Sequence, residues 1–273
     1  MSHDHSSETK YDIACYALLP MLLMLFIQML LNYYFAPANS IFISPYLLAF
    51  FITNLIALFV LSQGQICPGQ AGRLLFVLKF LSVFAFGNLA YSLAFTPTHN
   101  PMLLACVASL MLVIFYWFFS AHAKPNAMLI YSAFGIVAIG VIQYLIIYWF
   151  ELPSLFHGIR ANNFAQLLLG ILLAGWYLML SRSNLDIFFK CLIQLALIIL
   201  VLNYVWVIFV LYQQWQIMPT ISLLPYLIYF LSQFIIFALL SWLLIGKAEK
   251  QVKNPFAWTL AVLLAMLYPF TNV

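Results

Sequence analysis

Charge is what this chain has least of. Only 6% of its 273 residues are Asp, Glu, Lys or Arg, and 67% are apolar. Soluble domains carry roughly 25% charged residues. So few charges could not cover a water-soluble fold of this length, which leaves lipid as the solvent. The acids are scarcer than the bases, and none is placed for ion coupling. Asp4, Glu8, Asp12, Glu151, Asp186 and Glu249 fall in the N-terminal tail, in predicted loops or at helix ends. Proton- and sodium-driven transporters commonly keep a carboxylate within a spanning segment. The sequence therefore argues against coupling through a buried acid and leaves backbone carbonyls or a histidine for that role.

Other absences narrow the chemistry. The four cysteines, Cys15, Cys67, Cys106 and Cys191, form no C-x-x-C pair and no zinc spacing, so neither a metal site nor a disulfide is expected. There is no phosphate-binding G-x-x-x-x-G-K-S/T loop, no H-E-x-x-H helix and no G-x-S-x-G elbow. No N-x-S/T sequon occurs either, which fits a bacterial protein. The ten Lys and Arg are scattered singly, so the net charge of +4 reads as a topology signal and not as a nucleic-acid surface. The apolar run from Ile13 is about twice the length of a signal-peptide core and lacks a small-residue cleavage site, so it reads as the first spanning helix.

What is abundant is long apolar sequence. A spanning helix needs about 20 mostly apolar residues, and nine such runs are predicted: 12–35, 41–63, 74–95, 102–122, 127–150, 164–181, 187–213, 223–246 and 256–272. The last is short and is interrupted by Tyr268-Pro269, which keeps an eight-helix bundle as the alternative. The expected fold class is an all-α integral membrane protein with short loops, a cytoplasmic tail over 1–11 and one transmembrane domain over 12–273.

Orientation follows from basic residues, which favour the cytoplasmic side. With the N-terminus inside, Lys10, Arg73, Lys79, Lys124, Arg182, Lys190, Lys247, Lys250 and Lys253 all lie inside, and Arg160 alone lies outside. The expected location is the bacterial inner membrane, multi-pass, with a cytoplasmic N-terminus. Tyr33, Tyr34, Tyr148, Trp149, Tyr212 and Trp215 then form an interfacial belt at outer helix ends, with Trp117 toward the inner side.

Three predicted outside-to-inside helices open alike, at Pro45-Tyr46-Leu47-Leu48, Pro101-Met102-Leu103-Leu104 and Pro225-Tyr226-Leu227-Ile228. Repeated hairpins occur in transporters, but proline favours the first turn of any helix, and that plainer explanation suffices.

The polar groups predicted within the membrane are amides: Gln28, Asn32, Asn54, Asn88, Gln143, Gln166, Gln194, Asn203 and Gln233. Most fall in the outer half, Gln194 being the exception. Amides without acids suit a neutral polar group, a lipid headgroup or a quinone. They also serve as glue between helices, because an amide facing lipid lacks partners.

The sixth predicted helix carries the clearest face. Asn163, Gln166, Gly170 and Ala174 recur at helical spacing, and Tyr177 and Ser181 extend the line. Small residues at mid-depth indicate close helix packing. Just before it, the segment Glu151 to Asn163 is the predicted outer loop richest in ionisable groups. Arg160 there has no topological reason to be outside, and a guanidinium beside a helix N-terminus suits a phosphate or carboxylate. The candidate substrate-binding set is therefore Glu151, His157, Arg160, Asn163 and Gln166. His99, His122 and His157 lie outside the predicted spans, which argues against haem held between facing helices. His3 and His5 flank Asp4 in a solvated tail. No cofactor is expected. The Arg182 to Asp186 segment is expected to cap the next helix through Asn184 or Asp186.

These features favour a small transporter or lipid-handling protein with a polar cavity open to the outer face. Two alternatives stand beside it. One is a membrane enzyme acting on a lipid or quinone through His157, Arg160 and Glu151. The other is a subunit or assembly factor of a membrane complex. The expected partners are membrane lipids and, in the last case, other membrane-protein subunits.

Overall fold

The computed structural model describes residues 10–35, 41–63, 66–96, 100–119, 127–150, 162–217, 222–245 and 249–272. Within these the chain is an all-helical bundle. Its helices are α1 (Lys10–Phe35), α2 (Leu47–Gln63), α3 (Pro68–Leu78), α4 (Leu81–Ala94), α5 (Leu103–Phe118), α6 (Ala127–Phe150), α7 (Asn163–Leu180), α8 (Asp186–Ile217), α9 (Leu224–Ile245), the single turn α10 (Glu249–Val252) and α11 (Pro255–Met266), followed by a 3₁₀ segment at Tyr268–Asn272. Six spans are long and apolar enough to cross a bilayer by themselves, taking α3 and α4 together, and three shorter apolar helices lie at 47–63, 103–118 and 255–270. Each of the nine predicted runs corresponds to one of these.

The core is built around α7. Its residues from Leu168 to Leu178 are all buried, as are Ala165 and Gln166. The helix packs against α1, α2, α3, α8 and α11. Close approach follows from its small residues. At Gly170 an added Cβ would stand 2.8 Å from the Ala49 carbonyl oxygen and 2.7 Å from Ile52 Cβ. The small-residue stripe therefore seats α7 on α2, which is the packing role its spacing suggested. Thr53 joins the same contact, with its hydroxyl donating to the Gly170 carbonyl at 3.1 Å.

The outer helices show the opposite pattern. Ile139, Ile142 and Ile146 on α6, Ile198, Val201, Val205 and Ile208 on α8, and Leu227, Ile228, Leu231 and Phe234 on α9 are exposed. An apolar outer face with all backbone groups satisfied inside helices is the arrangement hydrocarbon demands.

Two departures from the predicted runs have local causes. The third run begins earlier, at Pro68, and breaks at Lys79–Phe80. There the hydrogen bonds shorten to three-residue spacing, from Phe80 N–H to the Val77 carbonyl and from Ser82 N–H to that of Lys79. The Ser82 hydroxyl also donates to the Lys79 carbonyl at 2.5 Å, drawing it off the helical ladder. Second, α2 begins later than its predicted run because an extended segment leads into it, and a like segment precedes α5. These segments, β1 (Ile41–Phe42) and β2 (Asn100–Pro101), pair in parallel with Ile41 opposite Asn100 and Phe42 opposite Pro101. Each supplies the other's backbone partners where a helix would supply its own.

At the opposite end from this strand pair, α7 closes through its own backbone. Arg182 takes a left-handed conformation (φ 52°), Ser183 N–H reaches back to the Leu178 carbonyl at 3.2 Å and Arg182 N–H to that of Met179 at 2.9 Å. This is the Schellman closure, here without its usual glycine. From α3, Arg73 Nε donates to the Ser181 carbonyl at 2.9 Å and Gln70 to that of Arg182 at 3.5 Å, so α3 completes the satisfaction of the α7 terminus. In the link to α8, Asn184 accepts from Lys253, whose ammonium is also 2.5 Å from Asp186.

Candidate functional site

Polar side chains gather at the N-terminal end of α7. Asn162 is the N-cap, its Oδ1 accepting from Ala165 N–H at 3.1 Å. One turn on, Gln166 is fully buried, and its Oε1 accepts from Leu48 N–H in the first turn of α2 at 3.1 Å. The first N–H groups of a helix have no partner within it, so one side chain of α7 caps α2 from outside. Its Nε2 then donates to the Tyr144 hydroxyl on α6 at 2.5 Å.

A second branch starts from the cap residue. Asn162 Nδ2 donates to Asn203 Oδ1 on α8 at 2.7 Å, and Asn203 Nδ2 donates to the Tyr229 hydroxyl on α9 at 2.6 Å. Gln233 Oε1 lies 3.5 Å from the same nitrogen. Asn162, Gln166, Asn203, Tyr144, Tyr229 and Gln233 are all buried. The two branches tie α6, α7, α8 and α9 together at one end of the bundle.

Further phenols surround them. The Tyr46 hydroxyl donates to the Met266 carbonyl at 2.7 Å, and the Tyr268 hydroxyl donates to the Pro45 carbonyl. The two rings meet edge to face with centroids 6.0 Å apart. Tyr144 and Tyr229 lie within electrostatic reach of the Tyr268 phenol.

A separate chain links α1, the start of α2, α4 and α5. Tyr46 N–H donates to Ser44 Oγ, Ser44 to Gln28 Oε1 at 2.5 Å, Gln28 to Asn88 Oδ1 at 3.0 Å, and Asn88 Nδ2 to Cys106 Sγ at 3.4 Å. On α2, Asn54 accepts from Tyr116 at 2.7 Å and donates to the Phe50 carbonyl. Asn54, Asn88, Gln166 and Gln233 thus all face protein. Gln194 is exposed on α8, the one amide of the predicted set turned fully outward.

Of the predicted site residues, Gln166 lies at the centre of this cluster. Asn163 begins α7 half-buried, with a buried Oδ1 that has no hydrogen-bond partner among the described residues. Glu151, His157 and Arg160 lie outside the described residues, in the segment that leads into Asn162. Sequence reasoning passed over Tyr144 and Tyr229. Tyrosines near helix ends read as interfacial belt, and no spacing distinguishes a tyrosine facing an amide on another helix.

Comparison with known proteins adds the family. A family described as an integral membrane domain matches residues 6–273. A Haemophilus influenzae protein described as uncharacterized is 31% identical over 191 residues, covering 69% of this chain and 71% of its own length. No solved structure matches the chain. A match over residues 6–273, in a chain with six helices long and apolar enough to cross a membrane, makes this multi-pass membrane chain a member of the integral membrane domain family.

Proposed function

We propose that the protein is a small transporter or lipid-handling protein of the bacterial inner membrane whose polar site, at the α7 N-terminal end, opens to the outer face. Handling of a lipid headgroup is the favoured form of this reading. The observation that carries it is the convergence of four helices on the α7 N-terminus through uncharged donors and acceptors, Gln166, Asn162, Asn203, Tyr144 and Tyr229. Uncharged groups suit a polar ligand that enters from hydrocarbon, because they require no charge to be desolvated. Arg160, His157 and Glu151 belong to the sequence segment just before Asn162 and are proposed to take part in the site. The guanidinium and the helix N-terminus together favour an anionic headgroup, and Asn163 offers an unused acceptor to a hydroxyl.

The test is reconstitution of the full chain in phosphatidylethanolamine–phosphatidylglycerol vesicles that carry a trace of tail-labelled fluorescent phosphatidylglycerol. Movement of the label between leaflets is followed by chemical quenching from outside. Faster movement than in protein-free vesicles, reduced by Arg160→Gln, supports the reading. A rate equal to that of protein-free vesicles removes it.

A further inference from the structure

Hydrogen bonds in the α7 cluster have a direction, and backbone groups set it. Leu48 N–H can only donate, so the Gln166 atom facing it is the oxygen and the Gln166 nitrogen faces Tyr144. Ala165 N–H likewise requires the oxygen of Asn162, which turns the Asn162 nitrogen toward Asn203. Asn203 must then present its oxygen to Asn162 and its nitrogen to Tyr229. None of the three amides can flip without setting donor against donor. Both phenol oxygens therefore receive a proton from an amide, and each retains its own O–H to give away.

Tyr144 is 0% exposed and Tyr229 is 4% exposed, so neither proton is left to bulk solvent. Among the described residues neither hydroxyl has an acceptor. Each makes only the bond in which it receives. The other two phenols of the cluster behave differently, Tyr46 and Tyr268 both donating to backbone carbonyls. A buried donor without an acceptor is destabilising, and among the described residues two occur in one cluster. Asn162 and Gln166, which direct both, lie one turn apart on a single face of α7.

We infer that Tyr144 and Tyr229 form a two-donor binding site for a ligand that presents acceptor oxygens, carbonyl or phosphoryl, at the α7 N-terminal end. This rests on the function proposed above and narrows its substrate class: the group that meets the Tyr144 and Tyr229 hydroxyls accepts hydrogen bonds and is not recognised there through its own donors. An ester carbonyl or phosphate oxygen of a lipid and a ring carbonyl of a quinone share that chemistry. The α7 cap and the external cap of α2 act as positioning elements, because they fix which way the phenol protons point.

The test keeps the phenol oxygens and removes only their protons. O-methyltyrosine is placed at Tyr144 and at Tyr229 in the full-length chain by nonsense suppression. Thermal unfolding in detergent is then followed with three probes: an ether-linked phosphatidylglycerol (phosphoryl oxygens without ester carbonyls), a diacylglycerol (ester carbonyls without phosphate) and a short-chain benzoquinone. One of these should raise the unfolding temperature of the unmodified protein, and which one does so identifies the source of the acceptor. The doubly methylated protein should keep its unliganded unfolding temperature and require at least about tenfold more of that probe, as loss of two hydrogen bonds implies. Unchanged probe affinity in the methylated protein overturns the inference and leaves the functional reading standing. A marked fall in unliganded stability overturns it as well, because the methyl groups would then be meeting protein. If none of the three probes stabilises the unmodified protein, both the inference and the lipid reading fall.

Discussion

Gly175 lies directly beneath the Trp258 ring, so close that a Cβ on it would stand 2.3 Å from Cζ3 and 2.4 Å from Cη2. The tryptophan cannot yield, since it is fully buried and its indole N–H is held by the Val252 carbonyl at 2.9 Å. One missing side chain on α7 thereby admits the largest residue of α11 to the core. Gly175→Ala should destabilise by about 1–3 kcal/mol, the usual range for overpacking, read as a lower unfolding temperature in detergent. Gly87→Ala is the control. Its Cβ would meet only the end of the Leu25 side chain, which can rotate, and alanine raises helix propensity by about 1 kcal/mol. That variant should be close to neutral.

Gln166→Leu should destabilise strongly, because it orphans two groups at once, Leu48 N–H and the side of Tyr144 that now receives a proton. A buried unpartnered donor costs about 1–3 kcal/mol. Gln194→Leu, which replaces an exposed amide on α8, should be neutral or stabilising in the same unfolding assay. Equal effects at the two positions would contradict the placement of the amides.

The basic residues make a topological prediction. With Lys10, Arg73, Lys79, Lys124, Arg182, Lys190, Lys247, Lys250 and Lys253 cytoplasmic, alkaline phosphatase fused at Thr98 or Gln216 should be active, and at Gln65 or Gln251 inactive. Activity at Gln251 would overturn the proposed orientation.

Arg160→Gln should impair lipid movement in the vesicle assay while expression and insertion stay near normal, since one loop charge contributes little to stability. Arg160→Lys should restore only part of the rate, because an ammonium lacks the planar two-pronged donor geometry. A wild-type rate for the Gln variant would remove Arg160 from the proposed site.

Lysine at the far end gives a calibration of how little an exposed pair matters. Lys253 touches Asp186, with both side chains partly exposed at 24% and 35%. Lys253→Ala should therefore shift stability by no more than about 1 kcal/mol, well below the effect of Gln166→Leu.

Much of the architecture could be read from sequence because it depends on local, additive quantities. Twenty-residue apolar runs identify spans wherever they occur, and Pro269 marks where α11 passes into a 3₁₀ turn. The stripe through Gly170 was legible as packing for the same reason, since helical spacing alone puts small residues on one face. The joint at Lys79–Phe80 was not, because it depends on the Ser82 hydroxyl drawing a carbonyl off the ladder, and serine does this in only some contexts.

The amide cluster divides the same way. That amides in hydrocarbon favour partners on other helices follows from composition and depth, and Gln166, Asn203 and Gln233 obey it while Gln194, exposed on α8, does not. Which groups they meet was decided by tertiary structure alone. Gln166 reaches Leu48, 118 positions away, and Asn162 reaches Asn203, 41 away. No local pattern records those distances. The direction of each proton is still less local, because an amide is symmetric in shape and only a fixed backbone N–H on another turn or another helix tells its oxygen from its nitrogen. The class of this protein is therefore written in its composition, and the polarity of its site exists only once α2, α6, α7, α8 and α9 are brought together.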